Sequence, residues 1–224
     1  MDKSDNQKFV EFIKNISPTC RQLVEKIREL KFRLVEKSEL SKRSEKYYGQ
    51  GTIASFITIC ATHEPKLGLG YCIVLKRERV NEILSEDKND THRIEFDIAH
   101  EIGHLIKWRE APKCAKYWSR FDNGRRTQCF YRCKFDEMAA SEEGLKILSS
   151  IHGNIKNWLK IDDLKEAKKI WKNVFCSSSL DWLECNSAKT IKEYECDASI
   201  KPCPKDEETK MVLKRIKKLF FEGY

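Results

Sequence analysis

Apolar positions recur along this chain in two rhythms, one near every third or fourth residue and one at every second. Phe9, Phe12, Ile13 and Ile16 follow the first and predict a short helix over residues 8–15. Ser17-Pro18 then suits an N-cap followed by a first-turn proline. From there Cys20, Leu23, Val24, Ile27, Leu30 and Leu34 mark one face of a longer helix, to about Ser38, with Lys and Arg on the other face. The second rhythm appears in "TIASFITICA", residues 52–61, which is β-branched and alternating and predicts a strand. Tyr47, Tyr48, Gly49, Gln50 and Gly51 break the pattern before it, and Pro65, Gly68 and Gly70 punctuate a loop after it. "YCIVLK" predicts a second strand, and Val80, Ile83 and Leu84 a helical turn.

The polar run 85–91 reads as a surface loop, with Asp90 or Thr91 capping the helix that follows. That helix ends at Ala111-Pro112. Residues 114–133, with Asn123-Gly124 in their middle, read as an irregular excursion. Helices are predicted again over 135–148 and 163–175, with a break at Ser177, Ser178 and Ser179. Val212, Leu213, Ile216, Leu219 and Phe220 form the apolar face of a basic carboxy-terminal helix, expected to pack back on its own domain.

The 224 residues suffice for one large domain, and 40% apolar content can build a core. The expected fold is α+β. A small mixed β-sheet supports an active-site helix, with a helical amino-terminal segment and a helical carboxy-terminal lobe. Domain limits of 1–150 and 151–224 follow from that reading, the second packed on the first. Lys and Arg number 43 against 35 Asp and Glu, a net +8, but both signs are interspersed as on a solvated surface. No apolar signal-peptide run opens the sequence and no stretch is apolar enough to span a membrane. The ten cysteines then read as reduced thiols in a cytoplasmic protein.

Chemistry concentrates in "EFDIAHEIGHLIKW", where His100, Glu101 and His104 spell H-E-x-x-H. On a helix the two histidines lie one turn apart on one face, within reach of one tetrahedral Zn²⁺. Glu101 is turned about 100° away from that face, where it can take a proton from water at the metal without ligating it. Phe96, Ile98, Ala99, Ile102, Leu105 and Ile106 make the helix apolar nearly all round, so it is expected to be buried. Burying two imidazoles and a carboxylate without partners costs several kcal/mol, and a metal supplies partners. Gly103 weakens a helix interior by about 1 kcal/mol and suggests a close neighbour.

A catalytic zinc needs a third protein ligand. The extension to H-x-x-G-x-x-H fails, because position 107 is Lys and position 110 is Glu. In "FDEMAASEEGLKILSS", Glu137 shares a helical face with Ala140, Ser141 and Gly144, small residues that let the face approach the motif helix. Asp136 and Glu142 are rivals, and Glu142 sits about 140° round the helix from Glu137. Glu143 points to the far side, His152 is a further alternative, and His63 and His92 look like loop residues. Cys176, Cys185, Cys196 and Cys203 lack the paired spacing of structural zinc sites; Cys129 and Cys133, with Cys114, come closer to it. Scattered buried thiols are the default reading of all of them. Tyr117, Tyr131 and His152 are the candidates for an oxyanion partner.

"HRIEFDIAHEIGHLI" resembles the ImmA/IrrE family of zinc-dependent metallopeptidases, over roughly residues 52–148 and most closely over 93–105. The resemblance implies one catalytic zinc held by His100 and His104, Glu101 as catalytic base, and a Glu on a later alanine-rich helix as third ligand, a role that carries onto Glu137. It also implies a protein substrate such as a transcriptional repressor. Asp97 stands where the family usually has Thr, and the later helix lacks its following proline. The edge of the strand pair could hold an extended peptide by strand addition. The alternative reading is a non-catalytic metal-binding regulatory protein that contacts nucleic acid or an acidic protein partner; oligomeric state is not legible.

Overall fold

Ser4 closes a capping box with Gln7, its hydroxyl accepting from the Gln7 amide while its own amide donates to the Gln7 side chain, and so starts α1 (Asp5–Lys14). The computed structural model describes residues 4–48, 59–64, 68–86, 91–110, 130–171 and 206–224. The chain divides into two compact units, Met1–Ser119 and Arg120–Tyr224. Residue 150, where the sequence reading ends the first domain, lies inside a helix of the second unit. Among the described residues no helix is long and apolar enough to cross a membrane.

In the first unit, Ser17 caps α2 (Pro18–Glu29), and the cap is followed by proline as the sequence suggests. The helix is shorter than expected. It stops at Leu30, Lys31 takes φ 60°, and the Phe32 amide donates to the Ile27 carbonyl. The chain then becomes β1 (Arg33–Glu36), so Leu34 serves a strand rather than the α2 face. Residues 37–48, which carry little apolar periodicity, form α3 (Lys37–Tyr48).

Strand β2 is Ile59–Glu64, overlapping the expected strand only at its end; residues 52–58 lie outside the described part. β3 (Gly70–Leu75) matches the second expected strand. The three make a small mixed sheet in the order β1-β3-β2, with β1 parallel and β2 antiparallel to β3. With the surrounding helices this is an α+β arrangement. Val35, Leu40, Leu69, Cys72 and Val74 form a buried cluster against the sheet. The turn expected near Val80 is a full helix, α4 (Arg77–Glu86), which takes in Ser85 and Glu86 from the expected loop. The motif lies on α5 (Thr91–Glu110), which packs on β2 and β3 and touches α2 and α4.

The second unit contains α6 (Phe130–His152), α7 (Ile155–Leu159), α8 (Leu164–Ile170) and α9 (Asp206–Phe221). α6 starts earlier and ends later than expected, and α7 is a short helix absent from the sequence expectation. Asp163, the first residue of the helix expected over 163–175, is the N-cap of α8, and residues 172–175 fall outside the described part. α9 packs on α6 and α7, burying Val212, Ile216 and Phe220.

Candidate metal centre

α5 buries far more of its circumference than an ordinary surface helix, because its apolar residues occur all round it. Phe96, His100, His104 and Trp108 follow one another at four-residue intervals and stack into one column. The two imidazoles sit 4.6 Å apart, centre to centre, at 88°, with the Phe96 ring 6.0 Å from His100 and the Trp108 ring 5.6 Å from His104. Only 6% of His100 and 5% of His104 is exposed. Gly103, between them, is buried as well.

Glu101 leaves that column and faces the sheet. Its Oε2 accepts the Ala61 amide at 2.6 Å, a charge-assisted bond from strand β2. Ala61 pairs with Ile73 in the ladder, and its amide nevertheless serves Glu101, so the carboxylate reads the outward side of an outer strand. The opposite outer strand is closed differently. Asn6 of α1 donates to the Leu34 carbonyl and accepts the Glu36 amide, taking the place of a further strand along β1.

Among the described residues, the His, Cys, Asp and Glu side chains that converge closely enough to hold a metal ion are His100, His104 and Glu137. Each offers one ligand atom, and these atoms all lie within 4.8 Å of one another. Two imidazoles and one carboxylate are the donor set of many catalytic zinc sites, and the burial of the two rings fits that use. Around Glu137 on α6, Ala140, Ser141 and Gly144 are buried, as their small size suggested, and the Ser141 hydroxyl donates to the Glu137 carbonyl.

The rival acids have other occupations. Glu142 receives a two-pronged bond from Arg215, at 2.8 and 2.9 Å, and Lys146 stands 3.2 Å away. Burial pulls its pKa up, but the hydrogen bonds and charges of Arg215 and Lys146 outweigh that and hold it below the ordinary carboxylate value. Glu143 is half-buried, 3.7 Å from Lys146. Glu110 remains on α5 beside Lys107. The side chains of Asp136, His63 and Tyr131 lie outside the described part, as do Tyr117 and Cys114, Cys129, Cys176, Cys185, Cys196, Cys203 and the Cys133 side chain. His152 ends α6 half-buried.

His92 is not a loop residue. It opens α5 and contacts Glu95 at 3.2 Å, in a buried polar cluster that periodicity did not disclose. Glu95 is 2% exposed and accepts the Ser17 hydroxyl at 2.5 Å. Ser17 in turn accepts the Cys20 amide at 3.0 Å, so one hydroxyl caps α2 and ties it to α5. Burial, opposed by the Ser17 hydrogen bond and reinforced by the Glu95 charge, pushes the Cys20 thiol up to about 12. That leaves it a neutral core group at physiological pH. A Glu inside an otherwise apolar segment was the available signal for this cluster.

Comparison with protein-family models, curated proteins and solved structures returned no match.

Proposed function

We propose that the chain is a zinc metallopeptidase acting in the cytoplasm on a protein substrate, a transcriptional repressor being the substrate type that the motif's resemblance implies. The observation that carries the reading is the division of labour on α5. Two buried imidazoles share one face, and the intervening carboxylate is turned off that face toward an outer strand. His100, His104 and Glu137 would hold the ion. Bound there, zinc supplies Lewis acidity and lowers the pKa of a coordinated water.

The remaining work belongs to the chain. Glu101 takes the proton from the attacking water and returns it to the leaving amine. The Ala61 amide fixes one carboxylate oxygen, which orients the base before substrate arrives. A peptide extended along β2 would run past Glu101, because Ala61 is the point at which that strand meets the carboxylate.

Metal analysis and a cleavage assay test the reading together. Purified wild type should carry about one equivalent of zinc. His100→Ala should lose it, and Glu137→Ala should lose it or bind it weakly. Zinc lost with His100→Ala but fully retained in Glu137→Ala removes Glu137 from the ligand set. With a proteome-derived peptide library as probe, wild type should cut and Glu101→Gln should not, although its zinc and fold are intact. Equal cleavage by Glu101→Gln sinks the enzymatic assignment.

A further inference from the structure

The apolar side of α9 is consumed within the second unit. Val212, Ile216 and Phe220, four residues apart, are buried, and Arg215 is locked to Glu142 by two hydrogen bonds. These contacts fix the rotation of the helix about its axis. Lys210, Lys214, Lys217 and Lys218 therefore fall together on the outward side, and all four are exposed. Along α9 itself no acid occurs between Glu208 and Glu222. Trp171, following α8, stacks on Phe220 and Phe221 at 4.9 and 5.5 Å, which brings the end of α8 to the end of α9. The last turn of α8 adds Lys168 and Lys169, both exposed.

We infer that this face of α9, with the end of α8, binds the phosphate backbone of duplex nucleic acid. A rigid cationic strip suits a polyanion, and phosphate contacts by lysine carry affinity without reading sequence. The same helix is poorly suited to a membrane surface. Interfacial helices insert their apolar face, and here that face is occupied by α6. An acidic protein partner would call for exposed apolar anchors. The strip has only Met211, 56% exposed, as a fully exposed large apolar side chain. The inference is independent of the metal reading, because none of these lysines lies near His100, Glu101 or His104 in sequence and no step assigned to those residues uses them.

The test is fluorescence anisotropy of the full chain with a short labelled DNA duplex of mixed sequence, over about 50 to 200 mM KCl. Affinity should fall steeply with salt. The double reversal Lys214→Glu/Lys218→Glu should weaken binding at least about tenfold at the low-salt end and reduce the slope of log affinity against log salt by about 2. A reversal of equal charge in the first unit, Lys8→Glu/Arg33→Glu, is the control and should leave the slope close to wild type. Absence of duplex binding, or equal weakening by both reversals, overturns the proposal. So does binding to phosphatidylserine vesicles in preference to the duplex. Circular dichroism melting of each variant keeps loss of fold separate from loss of contact.

Discussion

The two ends of α5 bury polar groups for opposite purposes. At the amino end, Glu95 is enclosed and bonded to Ser17 and His92, and its charge lies at the start of both α2 and α5, where the helix dipoles favour it. Eight residues after His92, His100 and His104 are enclosed as well, but one ligand atom of each lies within 4.8 Å of the others and of one from Glu137. Glu101, beside them, accepts a main-chain amide of β2 and is half-buried. One end is a joint between helices; the other brings together two imidazoles and a carboxylate closely enough to hold a metal ion. Burial alone does not separate structural from functional polar residues. The separation comes from the donor set that the geometry brings together.

The sharpest way to break this comparison is to delete the joint. Glu95→Ala leaves the Ser17 hydroxyl and the His92 ring without their buried acceptor and opens a cavity at the α2–α5 contact. The expected cost is about 3 kcal/mol of unfolding free energy in urea. The folded fraction should still bind zinc in the wild-type ratio, because the ligand column starts a full turn later. Zinc lost in proportion beyond the unfolded fraction would mean that the two ends are one cooperative site.

The next effect is linkage between metal and fold. A ligand that binds only the folded state stabilises it by about 2.7 kcal/mol at a hundred times its dissociation constant. Adding zinc to chelator-treated wild type should raise the melting temperature accordingly, and His100→Ala should show no rise. An equal rise in both proteins would place the stabilising zinc somewhere other than the α5 column.

How much of this was legible beforehand depended on how uniquely each residue could be read. The α5 column was, because four-residue spacing on a helix leaves two histidines only one arrangement. Glu137 was also indicated, since only one face of its helix carries Ala140, Ser141 and Gly144. Leu34 was not. It continues the four-residue rhythm of Leu30 and also fits the alternation of Phe32 and Leu34, and the turn at Lys31 decided for the strand. α3 had no apolar rhythm to announce it, with Leu40 its buried apolar anchor. The Ala61 amide was beyond any pattern, because a main-chain donor is the same at every non-proline residue. The Ser17–Glu95 tie joins positions 78 residues apart, and local periodicity carries no information at that range.

The smallest expected effect makes the most direct comparison, a pair of isosteric replacements at the two ends. Glu95→Gln removes charge from a buried acceptor of two side-chain hydrogen bonds and introduces an NH₂ group that must find an acceptor of its own. It should cost about 1 to 2 kcal/mol. Glu101→Gln can keep its amide oxygen on the Ala61 N–H, and Glu101 is half-buried where Glu95 is enclosed, so its cost should stay within about 0.5 kcal/mol. If the site reading holds, the variant with the smaller change in stability is the one that abolishes cleavage, while Glu95→Gln, once folded, still cuts. A fold that depends equally on both carboxylates would make Glu101 a second structural joint, and the case for a base poised at the edge of β2 would fail with it.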